Sequence, residues 1–451
     1  MSKVIKIRRG LDIPLRGKAE NILVKNEMAE TYAVKPTDFP GLTPKLNVQV
    51  GDRVLAGSPL FHDKYRPDVL FASPVSGEVV EVRRGERRVI LEVVVKADTS
   101  IEYAQFETAS PNDLSREQVI QKLLSSGNWP SIKQRPFGIV ANPTDVPKAI
   151  FISCFDTSPL APYLDFAAQG EEEAFQAGID ALRKLTSGKI HLGLSSDYPA
   201  AKAFAQAQGV EHHFFKGPHP AGNVGIQIHH IDPINKGEVV WTVNPLEVII
   251  IGRLFLNGIY DATKVVALAG SEVINPRYFR LISGARIDSI VKDKVNRDVD
   301  VRYISGNVLT GQKVEYIGFL GFYDSMVSVI PEGNHYEFMG WLSPGASKYS
   351  ASRTFLSKLI PGKKYRLDTN LNGGKRSYVM TGQYEKVMPM DIYPVYLIKA
   401  ILAEDIDKME QLGIYEVIEE DMALCEYVCT SKTEVQDILR RGINLMIKEL
   451  S

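Results

Sequence analysis

Residues 61 to 80 read FHDKYRPDVLFASPVSGEVV, and the reading of this stretch decides the fold of the N-terminal region. Two apolar segments meet at Asp63-Lys64, which fits a hairpin tip, and Ser-Pro then leads into Gly-Glu-Val-Val. Just upstream, VQVGDRVLAGSPL (48 to 60) spaces Val48, Val50 and Val54 as a strand does, around the turn dipeptide Gly51-Asp52. Downstream, RRVILEVVVKAD continues in the same style. Short strands separated by glycine and charged residues predict a small all-β barrel or sandwich.

The half-repeats VGDRVLAGSPL and SPVSGEVV resemble those of a lipoyl or biotinyl carrier domain, whose tip lysine would here be Lys64. Tyr65, Arg66 and Pro67 follow that lysine and make a larger, stiffer tip than a carrier lysine usually has. The expectation is a carrier-like barrel kept as a docking module, with Lys64 unmodified.

A chain of 451 residues exceeds what one hydrophobic core supports, so three or four domains are expected. Its 53 basic and 54 acidic residues give a net charge of −1, which offers no electrostatic reason to expect nucleic acid as a partner. Arg83-Arg84 and Arg87-Arg88 are interrupted by Glu81 and Glu86 and read as a solvated strand edge. Three cysteines exclude a disulfide scaffold and fit a reducing compartment. MSKVIKIRRGLDIPLRG lacks the apolar core of a secretory signal, so none is expected. The most apolar segment, VIIIGRLFL (248 to 256), is far short of the roughly 20 residues a membrane span needs.

Beyond about residue 115 the pattern alternates. AIFISC (149 to 154) reads as a buried strand, and Phe175, Ile179, Leu182 and Leu185 trace a helix that ends at Gly188. KIHLGL, the helix AAKAFAQAQ and the strand VEHHFF follow, which implies a doubly wound parallel sheet. DVDVRYIS, KVEYIGFL and MVSVIP are strand candidates in a mixed, glycine-rich region from 271. From Asp391, Ile392, Val395, Ile398, Leu402, Ile406 and Met409 trace one helix face to Gly413. Ser431 and Glu434 form a capping-box pattern before the last helix.

Chemical candidates are few. Cys425 and Cys429 share a helix face in DMALCEYVC, but an iron–sulfur cluster needs four ligands, and Cys154 is the only other cysteine. Helix core is the better reading. Five of the eight histidines lie between 212 and 230, yet His212/His213 and His229/His230 are adjacent pairs on expected strands and point to opposite faces. No metal site is assigned. The loop SSGNWPSIKQRPF (125 to 137) holds one glycine before Phe137, where a phosphate cradle usually needs several. Its Trp129, Arg135 and Phe137 can cover a planar ligand such as a quinone headgroup, or pack one domain against another.

Nine collinear stretches, from IRRGLDIPLRG, VQVGDRVLAGSPLF and ASPVSGEVVEVRRGERRV through KAIFISCFDTSPLAP, FFKGPHPAGNVG, GRLFLNG and YISGNVLTG to YEKVMPMDI and EEDMALCEYVC, resemble one family along the whole chain. That family is the A component of the bacterial sodium-translocating NADH:quinone reductase (Na+-NQR), related to the C component of Rnf complexes and to the flavin-binding subunit of respiratory complex I. The resemblance implies a multi-domain α/β fold. Its parts are a carrier-like (barrel-sandwich) β domain at 1–105, a Rossmann-like doubly wound domain at 106–270, a β-grasp domain at 271–343 and a helical C-terminal domain at 344–451. It implies a peripheral subunit on the cytoplasmic side of the inner membrane that contributes to reduction of quinone, from ubisemiquinone to ubiquinol, coupled to sodium export. The partner components B, C, D, E and F would hold FAD, FMN, riboflavin and the iron–sulfur centres, and this chain would bind no cofactor of its own. By position, quinone-associated residues would be Val34, Trp129, Arg135 and Phe137. A cofactor-free structural subunit of the same complex and an Rnf-type electron-transfer subunit are the alternatives.

Overall fold

The computed structural model describes residues 4–335 and 337–450, so Met1 to Lys3 of the stretch read for a signal lie outside it. Two small antiparallel sheets form the N-terminal unit. One orders Thr31–Val34, Ile90–Ala97, Gly77–Arg84 and Arg53–Val54, and the other Pro44–Leu46, Pro59–Asp63 and Arg66–Ala72. Leu60, Phe61, Val69, Phe71, Val79 and Val93 are buried between them, and Phe61 stacks on Phe71 at 4.8 Å.

The hairpin tip is Lys64-Tyr65. The Asp63 carboxylate accepts from the Tyr65 backbone at 3.1 Å and from Arg66 Nε at 2.8 Å. Arg66 also donates to the Val140 carbonyl at 3.0 Å, which bolts the tip to the next unit.

The first residues of the span read as barrel go elsewhere. Val4–Lys6 adds a parallel edge strand beside Glu211–Lys216, and Leu23–Lys25 extends another sheet beside Arg277–Ile282. The N-terminus therefore ties three units together before the barrel begins, a long-range pairing that local pattern cannot reveal.

The second unit is a seven-stranded sheet in the order Val4–Lys6, Glu211–Lys216, Lys189–Ser195, Ala149–Ser153, Val240–Val243, Ile132–Arg135, Ile139–Val140. The first five strands run parallel, Ile132–Arg135 runs against them, and Ile139–Val140 turns back antiparallel to Ile132–Arg135. From Ala149–Ser153 the chain steps outward twice, then returns to place Val240–Val243 on the other side. The strand order reverses between those two strands. VIIIGRLFL lies within the buried helix Pro245–Asn257, which packs on Glu172–Arg183. Glycines set the spacing of that pair: a Cβ on Gly252 would sit 1.7 Å from the Ala174 carbonyl oxygen.

A six-stranded mixed sheet follows, with Thr263–Ala269 and Met326–Pro331 at its centre. Thr263–Ala269 thus belongs with the third unit rather than ending the second at 270. Of KVEYIGFL, only the start is strand, within Gln312–Val314. AAKAFAQAQ is one helical turn, Lys202–Ala205. The helix expected from 391 to 409 is two, Pro394–Leu402 and Ile406–Gln411. Glu404 between them takes φ 53, and Asp405 caps the second by accepting from the Lys408 backbone at 3.1 Å. The apolar period survives the break because Ile398 and Met409 remain in one core.

The capping box before the last helix, Val435–Leu450, does not form. Ser431 donates to the Ser377 carbonyl and Glu434 pairs with Lys375, while the Glu426 carboxylate takes the Gln436 N–H at 2.8 Å. No helix among the described residues is long and apolar enough to cross a membrane.

Candidate functional site

Open α/β sheets bind ligands beyond the carboxyl ends of their strands where the strand order reverses. Here that crevice is a cavity of ≈ 570 Å³, closed by the third sheet and the C-terminal helices. Ser153 and Asp156 enter it after one central strand, and Val243 and Asn244 after the other. Tyr323 and Asp324 come from the loop before Met326–Pro331, and Glu420 from the helix Glu419–Val428.

Three cations line it, Lys133, Arg135 and Arg440. On the strand Ile132–Arg135, Lys133 and Arg135 are two residues apart and share a face, so both line the cavity. The Lys133 ammonium lies 3.5 Å from the centre of the Tyr323 ring. Burial pushes it below its ordinary pKa, against the pull of Glu420 and Asp324. The Tyr323 hydroxyl donates to the Pro130 carbonyl at 2.6 Å, which fixes the ring. Burial pushes the Asp156 carboxyl up, although the backbone and hydroxyl of Ser158 donate to it at 2.7 and 3.0 Å. A cation of lowered pKa and a carboxyl of raised pKa thus line one cavity, the kind of pairing that functional sites use for proton transfer. Lys133 stands inside the quoted loop, and its alternation with Arg135 was the signal for it. Asp156 is the polar residue that follows a buried strand.

The four residues singled out by sequence are not gathered on one surface. Val34 is buried in the barrel, opposite Val93. Trp129 is fully buried; its indole donates to the Ala141 carbonyl at 2.8 Å and meets Trp241 edge-on at 5.5 Å. Gly127 beside it takes φ 68, and a Cβ there would lie 2.5 Å from that of Ala72. The single glycine of the loop thus serves close approach of the barrel strand. Phe137 packs edge-on against Tyr415 at 6.1 Å, and its carbonyl accepts from Arg440 at 2.9 Å.

Arg135 alone of the four lines the cavity, and it is engaged. Its guanidinium donates to Asp421 at 2.7 Å and to Glu420 at 2.6 Å. Asp421 also accepts from the Ile418 N–H at 3.0 Å, so one carboxylate starts the helix Glu419–Val428 and clamps it to the sheet. Gly225 leaves room for the pair, since a Cβ there would lie 2.4 Å from Asp421 Oδ1.

Cys154, Cys425 and Cys429 are buried free thiols, and burial pushes those of Cys154 and Cys425 up. Cys425 packs in the helical core; Cys429 closes its helix and accepts from the Thr433 N–H at 3.4 Å. Among the histidines, His229 and His230 lie on the helix Val224–Ile231, not on a strand. Gly222 to Gly225 start that helix too abruptly for period to betray it. His219 is buried at the cavity wall beside Thr157, 3.1 Å away, and burial lowers it to about 4.

Fold and cavity define a multi-unit α/β scaffold with a polar crevice at its switch point. Three domain descriptions match in order: "NqrA N-terminal barrel-sandwich hybrid domain" over 5–98, "NqrA second alpha/beta domain" over 114–260 and "NQRA C-terminal domain" over 265–316. The NqrA protein of the Na(+)-translocating NADH-quinone reductase of Hahella chejuensis is 39% identical over 453 residues, covering 99% of this chain and 100% of that protein. The Neisseria meningitidis protein of the same name is 38% identical over 99% of this chain and 100% of its own. The chain therefore belongs to the NqrA family, the A component of Na(+)-translocating NADH-quinone reductases, which are multi-subunit oxidoreductases. An NAD+-reducing [NiFe]-hydrogenase in the air-oxidized state aligns at TM-score 0.38 and 12% identity, covering 77% of this chain and 67% of that one, a likeness too slight to inform function.

Two outcomes are expected. Asp421→Ala leaves Arg135 with Glu420 as its remaining carboxylate partner and lowers stability by up to about 3–5 kcal/mol, read as a lower thermal midpoint with earlier proteolysis of the C-terminal helices. His219 binds fewer protons when folded than when unfolded between pH 6.5 and about 4. Its contribution is therefore whole above 6.5 and is lost as the pH falls, by up to about 3 kcal/mol. His219→Gln removes that part of the acid slope, which unfolding measured from pH 7 to 4 detects.

Proposed function

We propose that this chain is a peripheral subunit on the cytoplasmic side of a sodium-pumping NADH:ubiquinone reductase and that its switch-point cavity receives the quinone headgroup. The observation that carries the reading is Lys133, a half-buried ammonium held over Tyr323 in a cavity that half-buried Asp156 also lines. A quinone gains two electrons and two protons on reduction. Lys133 is suited to donate a hydrogen bond to the oxygen on which negative charge develops, and the Asp156 carboxyl to relay the two protons in turn from solvent. The electrons come from NADH through the partner components B to F, which hold the flavins and iron–sulfur centres, and the free energy drives sodium export. Arg135 borders the headgroup, whereas Val34, Trp129 and Phe137 support its walls. The family name carried by full-length relatives supports the assignment to such a complex. In this reading the second unit is a Rossmann-like domain, the third a β-grasp domain and the last a helical domain.

A second reading has an observation of its own. The Arg135–Asp421 clamp and the buried Trp129 favour a structural subunit that closes a quinone site held by its partners. The two differ in the intact complex. Lys133→Met is expected to raise the KM for quinone about tenfold or more while NADH oxidation by an artificial electron acceptor is unchanged. Unchanged quinone kinetics would leave the structural reading.

A further inference from the structure

The second sheet carries a cluster that the cavity does not use, at the opposite, amino-terminal ends of its strands. Parallel pairing sets His191 beside Glu211 and Gly193 beside His213. Glu211 and His213 are two residues apart on one strand, so their side chains share a face with that of His191. Gly193 offers no side chain opposite His213, whose ring leans across to His191. His191 Nδ1 and His213 Nε2 stand 2.9 Å apart, and the Glu211 Oε2 atom lies 3.7 Å from the first and 3.9 Å from the second.

Those three separations are the dimensions of one face of a coordination tetrahedron. With metal–nitrogen and metal–oxygen bonds of about 2.0–2.1 Å, the edge of a tetrahedral Zn²⁺ site is about 3.3 Å. The observed edges bracket that length. We propose that His191 Nδ1, His213 Nε2 and Glu211 Oε2 form a site for a divalent transition-metal ion of the Zn²⁺ class, with a fourth position open to water.

Three features support the donor set. His191 is buried and stacks on Phe151 of the neighbouring strand, with centroids 4.6 Å apart and planes at 25°, which fixes its ring. Both rings are neutral at pH 7, since burial lowers His191 to about 4 and lowers His213 as well. Neutral imidazole is the ligand form. Two neutral nitrogens 2.9 Å apart share one proton; on binding, that proton moves to the other nitrogen of its ring and the ion takes its place. Glu211 supplies the one carboxylate of the set, and imidazole with a single carboxylate suits Zn²⁺ over Mg²⁺ or Ca²⁺. The competitor is Lys189, whose exposed ammonium pairs with Glu211 at 2.5 Å. The ion would staple two parallel strands at the end of the sheet remote from the cavity.

The test is calorimetric titration of the chelator-treated full chain with ZnCl₂ alone, followed by thermal unfolding with and without the ion. Wild type is expected to bind one equivalent at this site and to gain thermal midpoint. His213→Gln and Glu211→Gln should each weaken binding at least about tenfold and abolish that gain. Lys189→Met, which frees Glu211 and leaves the donors intact, should tighten it; His229→Gln should change nothing. Absence of saturable binding in wild type, or equal binding by His213→Gln and wild type, overturns the proposal. If His213→Gln does not fold, unchanged affinity in both Glu211→Gln and Lys189→Met overturns it alone.

Discussion

The arrangement of this molecule depends on one buried guanidinium. Arg135 is 1% exposed, and it reaches from an antiparallel strand of the second sheet to the first turn of the helix Glu419–Val428, 286 positions along the chain from its own residue. A buried ion pair adds little stability over a well-packed apolar contact. Separating its members, however, leaves a charge stranded, so the cost falls on every arrangement in which the C-terminal helices dock elsewhere. That helix places Glu420 at the cavity, and Arg440 then ties Glu419 and the Phe137 carbonyl to the last helix. The cavity exists because the clamp closes it.

The other walls are set by contacts of the same kind. Arg66 at the barrel tip donates to Val140, Gly127 admits the barrel strand at Ala72, and Trp129 fills the gap behind them. The Asp38 carboxylate, at the end of the segment after Val34, accepts from the Phe322 N–H at 2.8 Å and links the barrel to the loop that carries Tyr323. Residues that resembled a ligand cover are thus the packing that brings Lys133, Asp156 and Tyr323 together.

Much of this was legible in the sequence. The alternation AIFISC, KIHLGL, VEHHFF marked the three parallel strands, the first of them a continuous apolar run such as buried parallel strands show. The half-repeats of the barrel were legible for a similar reason, each turn being marked by glycine or proline. What failed was what depends on distant partners. The edge strands Val4–Lys6 and Leu23–Lys25 are short and carry little pattern of their own. The break at Glu404 is masked by an apolar period that continues through it. For the site, large aromatic residues drew attention to Trp129 and Phe137, whereas Lys133, signalled only by its alternation with Arg135, became a cavity residue once pairing set its strand beside Val240–Val243. His191 lay outside the dense histidine stretch, and only strand register brings it to His213.

The central claim is that the quinone headgroup reaches the cavity between the second sheet, the third sheet and the C-terminal helices. Photolabelling of the intact complex with an azido-quinone, followed by peptide mapping, addresses it most directly. The account predicts label on this chain in the segments around Lys133, Tyr323 and Glu420, and loss of that label when excess quinone competes. Label confined to partner subunits, or on this chain only outside those segments, would contradict it.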